Sequence, residues 1–388
     1  EKDNLLEDTF VFYFGDHGGV LPRSKGYAYE SGLHVPLVVR VPKNFIHLVK
    51  SESGHREKGF VEFVDFGPTI LNLAGVEIPD GIDGRPFLGQ GARTRNYTFN
   101  YADRFDEKYD LVRSVRKGKY KYIRNYQPFN VDGLYNYYRY KMLAYKEWYE
   151  LYNNGKLNDI QSQFFNARSP EALYDIEKDP HEINNLAQND QHKETLINLR
   201  ETLNNHVVSQ ADLSFFPEPY FLENGLADAV SFGQENKNLI EKLITTADLS
   251  LQPYNEVSSK IKDALNNKNP WIRYWGLIAC SSFGLEAKEH LNKINSIFEN
   301  DSENLVKIRA GEYLLLNNLK IDSSLINNVL KNANSESEAN LMLNTLALIK
   351  TKNSDYKLEL NKSVYPDKWF EKENGLVNRR MNYLTNNE

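Results

Sequence analysis

The sequence predicts an α/β layer structure in the first part of the chain, a smaller α+β subdomain behind it, and an all-α part after that. Two short β-branched and aromatic runs enclose a glycine-rich loop and precede a short helix pattern. From about residue 96 apolar residues alternate with period two, and from about residue 235 they recur at helical spacing. The predicted parts are residues 1–95, 96–210, a connector over 211–234, 235–350, and a polar cap or tail over 351–388.

The composition is that of a globular protein and excludes several classes. Hydrophobic residues make up 40% of the 388 residues and charged residues 26%, which fits neither a collagen-like nor a wholly disordered chain. The net charge of −6 gives no overall basic field, so we expect neither nucleic acid nor an anionic membrane as a partner. The longest apolar runs are far too short to span a bilayer. With Cys280 as the single cysteine, an intrachain disulfide framework and a cysteine-based zinc cluster are excluded.

The first elements follow directly from the start of the chain. No basic segment followed by an apolar stretch opens it, so no signal peptide is predicted, and we expect the chain to be cut from something longer. The apolar run 9–14 predicts a strand buried on both faces, and 37–41, between two prolines, predicts a second strand. Asp65 is the predicted N-cap of a helix over 66–74.

The middle of the chain predicts a small α+β subdomain. The alternation over 111–116 and 119–124, on either side of Lys117-Gly118, is typical of a β-hairpin. The other predicted elements are a helix over 137–152, a strand over 172–176 and a helix over 193–208.

The helical part contains an internal repeat. Residues 269–276 and 305–311 superpose with a shift of 34 residues, which places Ile272 on Val306, and a fainter copy lies near 339–346. This pattern predicts stacked antiparallel helix pairs of the HEAT type, packed on the α+β subdomain and contributing no metal ligand. The positions expected to be buried include Trp271, Trp275, Leu277 and Leu314.

The strongest local signal for chemistry is Gly15-Asp-His-Gly-Gly19, directly after the first predicted strand. In open α/β sheets ligands bind outside the carboxyl ends of strands, which is where Asp16 and His17 would project. A carboxylate oxygen beside an imidazole nitrogen can serve one divalent cation. Taken alone, the Asp-His pair favours a plain turn with an Asx-type hydrogen bond.

The continuation of this segment carries a resemblance to a known family. A lysine, Lys25, follows in the loop, and Tyr29-Glu-Ser-Gly-Leu-His-Val-Pro36 leads into the second strand. Residues 9–42 resemble the second half of the type I sulfatase catalytic domain, in the alkaline-phosphatase superfamily. Residues 63–75, 81–85 and 172–187 match the family's downstream motifs in the same order.

The resemblance implies roles for five residues. Asp16 and His17 resemble the family's second pair of calcium ligands, although calcium usually prefers oxygen ligands to a histidine nitrogen. Lys25 resembles the lysine that contacts the sulfate and the nucleophile; the alternative is a solvated loop charge. Arg23 and His34 flank the site as candidate substrate contacts, with a loop salt bridge and a strand-entry residue as their alternatives.

The resemblance also implies a substrate class. Residues 103–110 and the hairpin after them resemble the sulfamidase-like branch, which acts on N-sulfated glucosamine in heparan. The hairpin's basic residues either attract a polyanionic glycan or form a solvated sheet face; they are Arg113, Arg116, Lys119 and Lys121. A sulfated carbohydrate is therefore the expected partner, and a periplasmic or secreted location is expected. His181 lies in an Asp-Pro-x-Glu motif that predicts a structural turn.

The family's nucleophile has no counterpart in this sequence. It is a Cys or Ser oxidised to formylglycine within Cys/Ser-x-Pro/Ala-x-Arg, whereas Cys280 opens Cys-Ser-Ser-Phe-Gly within the helical repeat. The Asp pair that supplies the first calcium ligands is also absent. The sequence therefore predicts the C-terminal portion of a sulfatase, inactive alone, with formylglycine in a missing N-terminal half. The alternatives are a helical-repeat binding module on a non-catalytic remnant, or another hydrolase of the superfamily.

Overall fold

The computed structural model describes residues 2–319, 321, 323–353, 360, 362–373 and 375–385. Its described residues form two antiparallel sheets followed by a long helical region, in the order that the sequence predicts. The elements of residues 2–95 are β1 (Val11–Phe14), α1 (Glu30–Leu33), β2 (Leu37–Arg40) and α2 (Phe66–Leu73).

The first sheet is a two-stranded hairpin. β1 pairs with β2 in antiparallel register, with Phe14 opposite Leu37. Phe12 packs against Phe66 of α2, the two ring centroids lying 6.2 Å apart. The prediction that the first strand is buried on both faces is wrong: the side chain of Tyr13 is 71% exposed. The reason is that α2 and its neighbours cover one face only, while β1 has β2 as its single partner strand among the described residues.

The helix predicted over 66–74 is present, but Asp65 does not cap it. A 3₁₀ turn, Phe63–Asp65, precedes the helix, and Asp65 has αR backbone angles without a side-chain cap bond. Its buried carboxylate instead accepts hydrogen bonds from the backbone N–H groups of Glu62 and Arg85, both at 3.0 Å. The guanidinium of Arg95 also binds it, at 2.7 Å from Nε. Asp65 therefore ties together three segments of this part instead of capping α2.

The second sheet has four antiparallel strands in chain order. The predicted hairpin is confirmed, with Val115 opposite Tyr122 and the turn at Gly118 and Lys119. The helix Lys193–Ser209 packs on both strands of this hairpin. The elements of this part are β3 (Tyr97–Ala102), β4 (Val112–Lys117), β5 (Tyr120–Asn125), α3 (Tyr137–Tyr140), α4 (Leu143–Asn153), α5 (Asp159–Ser162), β6 (Glu171–Asp175) and α6 (Lys193–Ser209). The single helix predicted over 137–152 is interrupted, because Met142 adopts an extended backbone between α3 and α4.

The helical part alternates between outer and inner helices. The inner helices are α11 (Pro270–Phe283), α13 (Asn304–Leu316) and α15 (Glu336–Lys352), and the 34-residue shift found in the sequence separates the starts of the first two. Trp271, Trp275, Leu277 and Leu314 are all buried, as predicted. The helices are α7 (Glu218–Asn224), α8 (Ala229–Glu235), α9 (Lys237–Ala247), α10 (Tyr254–Leu265), α11 (Pro270–Phe283), α12 (Leu291–Asn300), α13 (Asn304–Leu316), α14 (Ser323–Lys331), α15 (Glu336–Lys352) and α16 (Leu376–Leu384). Assignment of these pairs to the HEAT type stays a prediction.

One hydrophobic core runs through the α+β part and the helical part. The indole of Trp275 donates to the carbonyl of Phe215 at 2.8 Å, and Tyr126 lies edge-on to the same ring. The helices thus pack on the α+β subdomain, as expected. α16 packs on α15 and also reaches the α+β part, where Arg380 donates to the carbonyl of Tyr135 at 2.8 Å. Residues 354–359, 361, 374 and 386–388 of the predicted tail lie outside the described residues. Within the described part of the chain, every helix is too short or too polar to cross a membrane.

Candidate active site

The predicted site lies in the loop between β1 and β2, and backbone hydrogen bonds join the two sides of this loop. The N–H of Gly15 donates to the carbonyl of Pro36 at 3.2 Å, and that of Gly18 donates to the carbonyl of Gly32 at 3.0 Å. A Cβ atom at Gly18 would lie 1.9 Å from the carbonyl oxygen of Ser31, so only glycine allows the two sides of the loop to approach this closely. The backbone that carries the candidate residues is therefore fixed by local contacts.

Asp16 and His17 present adjacent ligand atoms to solvent. The side chain of Asp16 is 82% exposed and that of His17 is 37% exposed, and Nε2 of His17 lies 3.5 Å from Oδ2 of Asp16. Nδ1 of His17 lies 2.7 Å from the carbonyl oxygen of Gly18. A carbonyl only accepts, so Nδ1 is the donor in this contact, and a neutral ring with that proton would carry its lone pair on Nε2, beside the carboxylate. One oxygen and one nitrogen can thus bind the same cation.

These two residues fit calcium only as part of a site. Calcium takes 6–8 ligands, mostly oxygens. Among the described residues, no group of three or more His, Cys, Asp or Glu side chains could hold a metal ion. The donor set of Asp16 and His17 is therefore compatible with a divalent cation whose other ligands come from elsewhere.

Lys25 extends from the same loop toward α3. Its ammonium nitrogen lies 5.8 Å from the centroid of the Tyr138 ring, and no carboxylate of the described residues lies within 4 Å of it. Its backbone N–H donates to the carbonyl of Gly19 at 3.1 Å, and its carbonyl accepts from Arg139 at 3.3 Å. The backbone of Lys25 is thus held while its charge remains available to an anion.

Arg23 and His34 contact other parts of the molecule. Arg23 donates to the carbonyls of His181 and Glu182 at 2.8 and 3.0 Å, and its guanidinium stacks on Tyr29. The exposed imidazole of His34 lies 3.6 Å from a carboxylate oxygen of Glu30. The structure therefore brings only Asp16 and His17 into direct contact among the five predicted site residues.

The four basic residues of the hairpin all form ion pairs with acidic residues. Each is paired with an acid far away in sequence, and Arg113 and Lys121 are buried. The ion pairs are Arg113 with Asp103 and Asp212, Arg116 with Glu30, Lys119 with Asp175, and Lys121 with Glu30 and Glu182. Both interpretations drawn from the alternating pattern are wrong for Arg113 and Lys121, because the sheet is covered on both sides.

Cys280 lies inside α11 and is fully buried. Burial raises the pKa of its thiol well above the usual range. A thiol is nucleophilic as the thiolate, so this environment disfavours a catalytic function for Cys280.

Two groups of residues around the loop were missed by sequence reasoning. A cavity of about 320 Å³ lies between the loop and the α+β part, and burial lowers the pKa of Lys108 in its wall to about 7. The second group is Glu30 and Glu182, which stand in the two matched motifs 29–36 and 172–187. Their motifs were visible in the sequence, but their contact with each other was not, because 152 residues separate them.

Comparison with known proteins points to one family. Residues 1–76 match the family model described as Sulfatase. An ulvan-active sulfatase of Formosa agariphila is 39% identical over 220 residues, which are 56% of this chain and 36% of that protein. An N-acetylglucosamine-6-O-sulfatase of Bacteroides thetaiotaomicron is 27% identical over 48% of this chain and 28% of its own length.

A solved structure of BT4656 with D-glucosamine-2-N,6-O-disulfate overlaps 53% of this chain and 35% of its own, with 21% sequence identity and a TM-score of 0.37. That overlap is too partial to carry a functional argument. The chain spans 36% of the length of the first of these relatives and 28% of the second. The family match and the relatives thus make this chain similar to sulfatases. A multifunctional alkaline phosphatase superfamily protein of Trinickia caryophylli is 34% identical over 27% of this chain and 22% of its own length.

Proposed function

We propose that this chain is the C-terminal portion of a sulfatase that hydrolyses sulfate esters or sulfamates of a sulfated glycan. The observation that carries the proposal is the loop after β1. It presents the adjacent ligand atoms of Asp16 and His17, and it carries the ammonium of Lys25, which has no carboxylate partner within 4 Å among the described residues. This loop lies inside the segment 1–76 that matches the sulfatase family model.

Each residue of the loop has a distinct chemical function in this proposal. Asp16 and His17 would hold calcium, which when bound supplies positive charge to the sulfuryl oxygens. Lys25 would neutralise the oxyanion charge that develops as the bond to sulfur breaks. Arg23 and His34 remain candidate substrate contacts; Arg23 would have to use N–H groups other than the two that bind His181 and Glu182.

The formylglycine nucleophile would come from a part of the catalytic domain outside these residues. The chain covers 36% of the length of its 39% identical relative, and Cys280 is buried in α11. The first sheet also supports a further covering part, because its outer strand edges have no partner strand among the described residues and large apolar side chains around it are exposed. These exposed side chains, on β1, β2, α2 and the turn before α2, are Val11, Tyr13, Phe14, Val38, Phe63, Val64 and Ile70.

The helical part serves as a support in this proposal and not as a separate binding module. A repeat solenoid binds partners along an open concave surface. Here the inner helices are covered: Trp275 of α11 packs on Phe215 and Tyr126, and α15 packs on α16. The division at 1–95, 96–210, 211–234, 235–350 and 351–388, and the periplasmic or secreted location, belong to the same proposal.

The substrate is proposed to be an N-sulfated or related amino sugar. Residues 103–124 resemble the sulfamidase-like branch, and one relative is named for a sulfated N-acetylglucosamine. The experiment measures sulfate release from N-sulfo- and O-sulfo-glucosamine by the complete enzyme and by residues 1–388 alone. We expect turnover of the amino sugars by the complete enzyme and none by 1–388. Activity confined to O-sulfated galactose would contradict the substrate class, and turnover by 1–388 would show that a different nucleophile exists.

Calcium should bind weakly to residues 1–388, because Asp16 and His17 supply only two of the 6–8 ligands that it takes. In the complete enzyme, Asp16→Asn should lower calcium affinity by at least about tenfold, since it removes the charged oxygen ligand. Calorimetric titration with calcium measures the affinity of residues 1–388 and that of the complete enzyme with and without the substitution. Asp80→Asn, at an exposed position of the same part of the chain, is the control and should leave affinity unchanged. If Asp16→Asn and the unsubstituted enzyme bind calcium with equal affinity, Asp16 is not a calcium ligand.

A further inference from the structure

The segment that carries Lys25 is held on both sides by one turn of the α+β subdomain. We propose that Glu182 is a positioning residue, which fixes the loop between β1 and β2 in the geometry that the reaction needs. The proposal rests on the proposed function of Lys25. It assigns a function to the Asp-Pro-x-Glu turn, which the sequence had marked only as structural.

The first contact is made by the side chain of Glu182. Its carboxylate is 2% exposed, and Oε2 accepts the backbone N–H of Glu30 at 2.7 Å. Oε1 lies 3.1 Å from the ammonium of Lys121, which lies 3.2 Å from the carboxylate of Glu30. Arg116 also pairs with Glu30. Two acids and two bases thus form a neutral buried cluster at the C-terminal side of the segment, where burial of a lone charge would be costly.

The second contact is made by the backbone of the same turn. The carbonyls of His181 and Glu182 accept the guanidinium of Arg23 at 2.8 and 3.0 Å. Arg23 has a φ of 63°, an uncommon conformation for a side chain of its size. The eight-residue stretch from Arg23 to Glu30 includes Lys25, so both ends of the lysine's segment are bound to Glu182 or its neighbour.

The turn itself is rigid enough to act as an anchor. Oδ2 of Asp179 accepts the N–H groups of Ile183 and Asn184 at 2.9 and 2.8 Å. The N–H of Glu182 donates to the carbonyl of Asp179 at 3.1 Å, and Glu182 has a φ of 53°. The turn begins at the end of β6, because the N–H of Asp179 donates to the carbonyl of Asp175 at 2.7 Å. The turn therefore connects the loop between β1 and β2 to the four-stranded sheet.

Amide hydrogen exchange tests the positioning independently of activity. In the protein that contains residues 1–388, Glu182→Ala should accelerate exchange within residues 18–34 by about tenfold or more, while peptides of α11 keep their protection. Glu182→Gln keeps an acceptor for the N–H of Glu30 and should restore most of the protection. Glu177→Ala, at an exposed position just before the same turn, is the matched control and should change nothing. Unchanged exchange in the loop, or equal acceleration throughout the protein, would overturn the proposal.

Kinetics of the complete enzyme give the second measurement. A misplacement of about 1 Å in a catalytic group can cost about 10²-fold in rate, so Glu182→Ala should lower kcat by up to that factor with little change in KM. Glu182→Gln should recover most of kcat. If the complete enzyme releases no sulfate from any substrate, the proposed function fails while the exchange result still decides the positioning. If the enzyme is active and kcat is unchanged in Glu182→Ala, the positioning function of Glu182 is refuted while the proposed function of the chain stands.

Discussion

Replacing Lys25 by alanine is expected to lower the kcat for sulfate release by the complete enzyme about 10²–10³-fold. The ammonium of Lys25 has no carboxylate partner within 4 Å among the described residues, and its backbone is fixed by Gly19 and Arg139. Its charge is therefore available to an anion. A charge that acts on the developing oxyanion contributes mainly in the transition state, so kcat should fall more than KM rises.

The controls separate chemistry from folding. Lys58→Ala removes a lysine that is exposed in the same part of the chain, and it should leave kcat unchanged. Lys25→Arg retains the charge but changes its shape, and it should recover only part of the activity, because a guanidinium does not replace a compact ammonium. Thermal unfolding of Lys25→Ala should match that of the unsubstituted protein. Full activity of Lys25→Ala would refute the function proposed for this lysine.

The sequence predicted those parts of the site that depend on local contacts. Asp16 and His17 are neighbours in the chain, and the glycines around them allow the tight loop in which their side chains meet. The environment of Arg23 could not be predicted in this way. Its partners, His181 and Glu182, lie 158 and 159 residues further along the chain. A pattern confined to the loop contains no information about them.

In the fold, too, features set by neighbouring residues were predictable and features set by distant segments were not. The hairpin of β4 and β5 was predictable because alternation and Gly118 specify it locally. The burial of Lys121 and Arg124 was not, since alternating basic residues usually mark a solvent face, and their acidic partners come from distant segments. Burial of the first strand was mispredicted for a related reason. A continuous apolar run indicates that both faces of a strand are buried, but it does not identify the segments that bury them.

Disrupting the buried ion pair of α13 is expected to cause the largest loss of stability. Arg309 and Glu312 are 2% and 1% exposed, and Nη1 of Arg309 binds both carboxylate oxygens, at 2.9 and 2.7 Å. Tyr274 of α11 binds Arg309 at 2.7 Å, and Thr345 of α15 donates to Glu312 at 3.0 Å. The cluster therefore joins the three inner helices. Arg309→Met would leave the carboxylate of Glu312 buried without its cation.

Breaking one partner of a buried pair typically costs about 3–5 kcal/mol, and we expect Arg309→Met to lower the free energy of unfolding by this amount. Glu312→Leu should cost a similar amount, because it leaves the guanidinium unpaired. The double variant Arg309→Met/Glu312→Leu should be less destabilised than either single variant, since neither charge of the pair is then left buried without its partner. Urea unfolding measures all three, with Lys307→Met of the same helix as a control that should stay within about 0.5 kcal/mol. If Arg309→Met loses less than about 1 kcal/mol, the pair is already accessible to water, and the inner helices do not form the closed layer that supports the α+β subdomain.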